Sequence, residues 1–121
     1  MRFLCVWAAI ALCACAHAPD PMAVYFANTV LITQPWGETD RLLLSPDHTY
    51  VMYGVRFPEG HGVWSAQNGQ VCLIPADTPE TRGERFCNAW NGARVGDRWA
   101  ITVGDVTVPM EIGAGRAGKT R

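Results

Sequence analysis

Basic charge is scarce in this chain, and no apolar run in it is long enough to cross a bilayer as a helix. The 121 residues hold 10 Lys and Arg against 11 Asp and Glu, and residues 28–115 hold six Arg against ten Asp or Glu. Such a balance leaves no basic face for nucleic acid, whose phosphates demand one. The apolar run Phe3–Cys13 is about half of the roughly 20 residues that a spanning helix needs. No C-x-x-C pair occurs, which argues against thioredoxin-like redox chemistry and against zinc-ribbon spacing. No Gly-x-Ser-x-Gly context surrounds Ser45 or Ser65, as a nucleophile elbow would require. His48 and His61 stand in turn-like sequence, and Asp47, Asp97 and Asp105 each sit in a turn signal, where a carboxylate accepts hydrogen bonds from its own turn backbone. With no nucleophile, base and orienting group together, the sequence predicts no enzyme, no metal and no cofactor.

What is present begins with a leader. Arg2 supplies one positive charge, Phe3–Cys13 is apolar, and the small residues of ACAHA follow, which is the layout of a secretory signal. Two cleavage readings stand side by side. Leu12, Cys13, Ala14 and Cys15 are similar to a bacterial lipobox, with Cys15 as the lipid acceptor, while ordinary signal-peptidase sites follow Ala16 and Ala18. The expected organisation is a leader over 1–15, a proline-containing tether over 16–27, a folded domain over 28–115 and a flexible basic tail over 116–121, carrying Arg116, Lys119 and Arg121. The destination is the periplasm, with or without a lipid anchor to the membrane. Cys5, Cys13 and Cys15 belong to the leader, so only Cys72 and Cys87 remain in the folded part. Two cysteines alone in an exported domain predict one structural disulfide.

The folded part reads with period two, broken by turn residues every eight to twelve positions. Strands are expected over 28–33, 41–45, 49–55, 61–66, 70–75, 85–90 and 98–103, and a last one over Val106, Val108, Met110 and Ile112. Asn68-Gly69 tolerates positive φ in a tight hairpin, and Ser45-Pro46-Asp47-His48 suits a type I turn. Pro109 has no N–H, which predicts that this strand lies at an edge or pairs on one side only. About eight short antiparallel strands in so small a domain indicate an all-β barrel or sandwich. Trp64 and Trp99 fall inside strands and are expected in the core, whereas Trp36 and Trp90 lie beside turns. Those two are candidate contact residues, or else side chains folded over a barrel mouth.

The series Ser45-Pro46-Asp47-His48-Thr49-Tyr50, Gly62-Val63-Trp64, Gly69-Gln70-Val71-Cys72-Leu73, Cys87 and Val95-Gly96-Asp97-Arg98-Trp99 resembles a group of small exported alphaproteobacterial β-domain proteins. Their pattern is D-G-T-Y, G-x-W, G-x-L-C, a second C, then V-G-D-x-W. The resemblance covers residues 28–115 and implies export, a β fold and a disulfide. It carries no activity. His48 stands where that pattern has glycine, which puts the left-handed residue of the turn in question. The Gly-x-Trp element is also similar to one in lipocalins, though there it opens the first strand. Two functions are therefore expected: a non-enzymatic binding or structural module that meets an envelope protein, or a small hydrophobic-ligand carrier with a lipocalin-like barrel.

Overall fold

Alternation along each strand sorts the side chains between a filled interior and an outer wall. In the computed structural model, which describes residues 20–55, 59–76, 78–79 and 81–116, one short helix and eight strands follow in order: α1 Ala23–Ala27, β1 Thr29–Thr33, β2 Thr39–Leu44, β3 Thr49–Tyr53, β4 Gly60–Gln67, β5 Gln70–Pro75, β6 Phe86–Ala89, β7 Arg98–Val103 and β8 Val106–Gly113. All ladders are antiparallel, in the spatial order β6-β5-β4-β3-β2-β1-β8-β7. Each strand lies beside its neighbours in sequence, and the sheet curls into a nearly closed up-and-down barrel, the arrangement that removes most exposed edges.

The seam lies between β6 and β7. There Asn88, on the inward side of β6, accepts at its Oδ1 from the Thr102 N–H of β7 at 3.2 Å, so a side chain stands where a ladder bond would be. Val30, Ile32, Leu42, Leu44, Tyr50, Trp64, Val71, Trp99, Ile101, Val108, Met110 and Ile112 fill the interior as one cluster. Large and small side chains interdigitate there as in any close-packed core.

The turns obey their sequences. Asn68 and Gly69 both have positive φ, 53° and 76°, in a two-residue hairpin closed by Gln67 opposite Gln70, as a type I′ turn requires. His48 adopts φ 68°, and its N–H donates to Ser45 O at 3.1 Å. The left-handed residue of this turn is thus kept without glycine. The imidazole compensates by stacking on the Trp64 ring, centroids 4.2 Å apart and planes 7° apart. Trp64 in turn donates from its backbone N–H to His48 O at 2.8 Å and from Nε1 to Ser45 O at 2.9 Å.

Four expectations need correction. Residues 20–27 are not a tether: Met22 and Tyr25 are buried, because the apolar faces of α1 cover one barrel end. The domain therefore starts before residue 28. β8 is not an edge strand, since it pairs with both β1 and β7. The β1 ladder ends at Ile32 opposite Met110, one residue short of Pro109, so the missing N–H falls where β8 has only β7 beside it. Arg116 is not part of a loose tail, since its guanidinium donates to Phe26 O at 2.6 Å and to Leu44 O at 2.8 Å. His61 lies in β4, as the strand expected over 61–66 has it, and not in turn-like sequence.

Candidate functional site

The two ends of the barrel differ. The connections β2–β3, β4–β5 and β6–β7 lie at the end that α1 covers, and the connections β1–β2, β3–β4, β5–β6 and β7–β8 lie at the other.

The covered end is sealed by aromatics. Tyr25, 2% exposed, meets Trp90 and Trp99 edge-on at centroid distances of 5.1 and 6.2 Å, and Phe26 lies 5.7 Å from Trp64. The Tyr25 hydroxyl donates to Gly92 O at 2.7 Å. Burial pushes that hydroxyl up to about 12, with the Gly92 hydrogen bond opposing and the Asp97 charge adding a little. Gly92 has to be glycine, because a Cβ there would sit 2.5 Å from the Trp99 ring. Asp97 Oδ2 accepts from the N–H groups of Ala93 and Arg94 at 2.9 and 3.0 Å. Those bonds hold its carboxyl below the ordinary range, as the hydroxyl and N–H of Thr49 do for Asp47. Both carboxylates are committed to turns. Beside Tyr25 and Trp90 a cleft of about 240 Å³ opens between Pro21, Met22 and the Gln67–Gln70 hairpin.

The expected contact residues do not converge. Trp90 is half-buried at the covered end, where it closes the mouth and is not a loop tip. Trp36 is at the opposite end, in the β1–β2 turn, with its indole N–H on Glu38 Oε2 at 2.9 Å. Cys72 and Cys87 stand directly opposite each other on β5 and β6 and form the disulfide, with Cα atoms 4.0 Å apart. It faces the outer wall, away from both ends. Cys15 lies outside the described residues. Among the described residues no three His, Cys, Asp or Glu side chains come together as a metal site would need, and no helix is long and apolar enough to cross a membrane.

The open rim carries features that no motif announced. In or directly beside each of its four connections one large apolar side chain reaches solvent: Trp36, 42% exposed, and Val55, 72%, within the β1–β2 and β3–β4 connections, and Phe86, 36%, and Val106, 42%, as the first residues of β6 and β8. Met52, Leu73 and Val103 lie half-buried against the core. Beneath them Asp40, only 5% exposed, shares the inward face of β2 with Leu42 and Leu44, and its Oδ2 accepts from Gln34 Nε2 at 2.7 Å. Gly54 falls one register step beyond the Arg41–Tyr53 pair, opposite Asp40, and a Cβ on it would sit 2.5 Å from Asp40 Oδ1. The glycine makes the room that the carboxylate occupies. An apolar residue flanking each turn was the available signal, but flanking apolar residues are so common in strands that it carries little alone.

These features define a small disulfide-stapled, eight-stranded barrel with one plugged end and one apolar rim. No protein-family model, no curated protein and no solved structure matches the chain.

Proposed function

We propose that this protein is an exported, non-enzymatic binding module of a bacterial cell envelope, held at its plugged end and working through the opposite rim. The observation that carries the reading is the distribution of exposed large apolar side chains. Among the described residues four of the six such side chains lie in or directly beside the connections of the end remote from α1, against Val63 on the wall and Val95 at the plugged end, and clustered apolar exposure marks interaction surfaces more often than isolated exposure does. The described residues begin with Asp20, at the plugged end.

Export is supported by the leader-like N-terminus and by the Cys72–Cys87 disulfide, a bond commoner in oxidising compartments than in reducing ones. The resemblance to small exported alphaproteobacterial proteins points the same way. The absence of chemistry is supported by the placement of the candidate acids and bases: Asp47 and Asp97 serve turn amides, and the His48 ring is stacked on Trp64. A small hydrophobic-ligand carrier draws no support from the interior, which side chains as large as Tyr50, Trp64 and Trp99 occupy.

A photo-crosslinking residue placed at Trp36 or Val106 in living cells should yield a discrete adduct, and the same residue at exposed Val95, in the β6–β7 connection of the plugged end, should not. Equal adducts from both ends, or none from the rim, would end this reading. Labelling with a palmitate analogue, wild type against Cys15→Ser, decides between a lipid-anchored form and a free periplasmic one.

A further inference from the structure

We infer that the rim takes a polypeptide partner presenting an apolar segment flanked by arginine or lysine. The inference rests on the proposal that the rim is the binding end, and adds the chemistry of what binds there. Trp36, Val55, Phe86 and Val106 supply apolar contact at all four connections, and an exposed tryptophan is among the commonest anchors of a protein interface. The charge around them is acidic on balance. Among the described residues the same connections carry Glu38, Glu59, Glu84 and Asp105 against Arg82 and Arg85.

Beneath this ring lies a further carboxylate, Asp40, at a position where the inward pattern of β2 asks for an apolar side chain. It is seated against Gly54 and bonded to the uncharged amide of Gln34. Burying a carboxylate is unfavourable unless it is well compensated, and a cation brought in from the rim would add to what one amide supplies. An anionic lipid surface or a nucleic acid would meet like charge at this end, so the same observations that favour a cationic peptide disfavour those two. Complementary charge of this kind acts mainly on encounter and selectivity, while the apolar contacts supply affinity.

The test uses the exported, disulfide-intact protein and two synthetic peptides with the same apolar residues, one carrying arginines and the other glutamates, followed by backbone amide shifts. The cationic peptide should move the signals of Trp36, Gly54, Phe86 and Val106 and bind at least about tenfold more tightly than the anionic one, with affinity falling as salt is raised. Trp36→Ala and Asp105→Lys should each weaken it, Val95→Ala should leave it unchanged, and Asp40→Asn should weaken it provided its melting temperature stays near wild type. If Asp40→Asn fails to fold, the two surface variants decide. Equal binding of both peptides, shifts confined to the plugged end, or no binding of either would overturn the inference. Rim-specific crosslinks in cells together with peptide indifference to charge would overturn it while leaving the binding role of the rim in place.

Discussion

Replacing Tyr25 separates a tether from a plug. A tether residue contributes nothing to stability, so Tyr25→Ala would leave the unfolding midpoint where it was. The structure requires a large loss, because the ring is almost wholly buried between Trp90 and Trp99 and truncating a core aromatic costs about 3–5 kcal/mol. Against a total stability of roughly 5–15 kcal/mol, that loss moves a urea midpoint far enough to measure. Tyr25→Phe isolates the hydroxyl. It removes the bond to Gly92 O and should cost about 1 kcal/mol, rising toward 3 if the carbonyl stays buried and unpaired.

The same residue predicts a pH dependence. Its folded pKa, about 12, is raised above the ordinary 10.0, so the native state binds this proton more tightly than the unfolded chain does. The resulting stability is complete below pH 10 and is lost as pH rises through about 12. Tyr25→Phe should flatten the alkaline fall in that window, leaving the part due to Tyr50, which burial also raises. Urea titrations followed by tryptophan fluorescence at neutral and alkaline pH measure both effects. An unchanged midpoint in Tyr25→Ala would refute the plug.

Non-reducing peptide mapping should recover Cys72 and Cys87 in one linked pair, and Cys72→Ala with Cys87→Ala should lower stability by about 2–5 kcal/mol; two free thiols in the native protein would contradict this. Trp64→Ala should cost about 3–5 kcal/mol, whereas Trp36→Ala, at the surface, should stay within about 0.5 kcal/mol of wild type in thermal melts; the reverse ranking would invert the assignment of faces. Gly62→Ala puts a Cβ against the Ile74 carbonyl and 2.8 Å from the Tyr50 ring, and should cost about 1–3 kcal/mol or more. Adding Tyr50→Leu should recover little, because the carbonyl cannot move aside, and full recovery would show that the ring alone was the obstacle.

The strands were legible wherever alternation and turn chemistry agreed. The fifth and seventh strands have the boundaries their sequences predict, 70–75 and 98–103, and Asn68-Gly69 announced its hairpin. The cysteine pair was legible because the other three cysteines all fall within the leader-like first fifteen residues. Helix α1 was not: five residues are too few to show a 3.6 period, and Met22, Tyr25 and Phe26 are ordered by what they cover rather than by local propensity. Trp90 was legible only as one of two alternatives, since a tryptophan beside a turn looks alike in sequence whether the turn points to solvent or folds back over a mouth. Pro109 was read through its own missing N–H, but where the neighbouring ladder stops depends on the length of β1. The motif residues behave as architecture throughout: Gly62 lies under Tyr50, Trp64 binds Ser45 and His48, and Gly96 donates to Ile112 O. That explains why they describe a fold and name no chemistry. The rim was invisible because it gathers one residue from in or beside each of four separate connections.

The staple and the rim meet at β6. This strand is four residues long and has a ladder on one side only, to β5, and across the seam the Asn88 amide reaches Thr102. Segments with few backbone bonds and little burial open first, so the seam is the place from which the barrel would loosen. The disulfide sits in the middle of that thin ladder, at the Cys72–Cys87 pair, and Phe86 is the next residue along. Fastening Cys87 therefore also fastens the rim side chain beside it, whereas Trp36 and Val106 are held by hairpins that need no covalent help. In a reducing compartment the fold would keep most of its core and lose definition at Phe86. Oxidation of the pair thus acts on the surface proposed for binding, and not on stability alone.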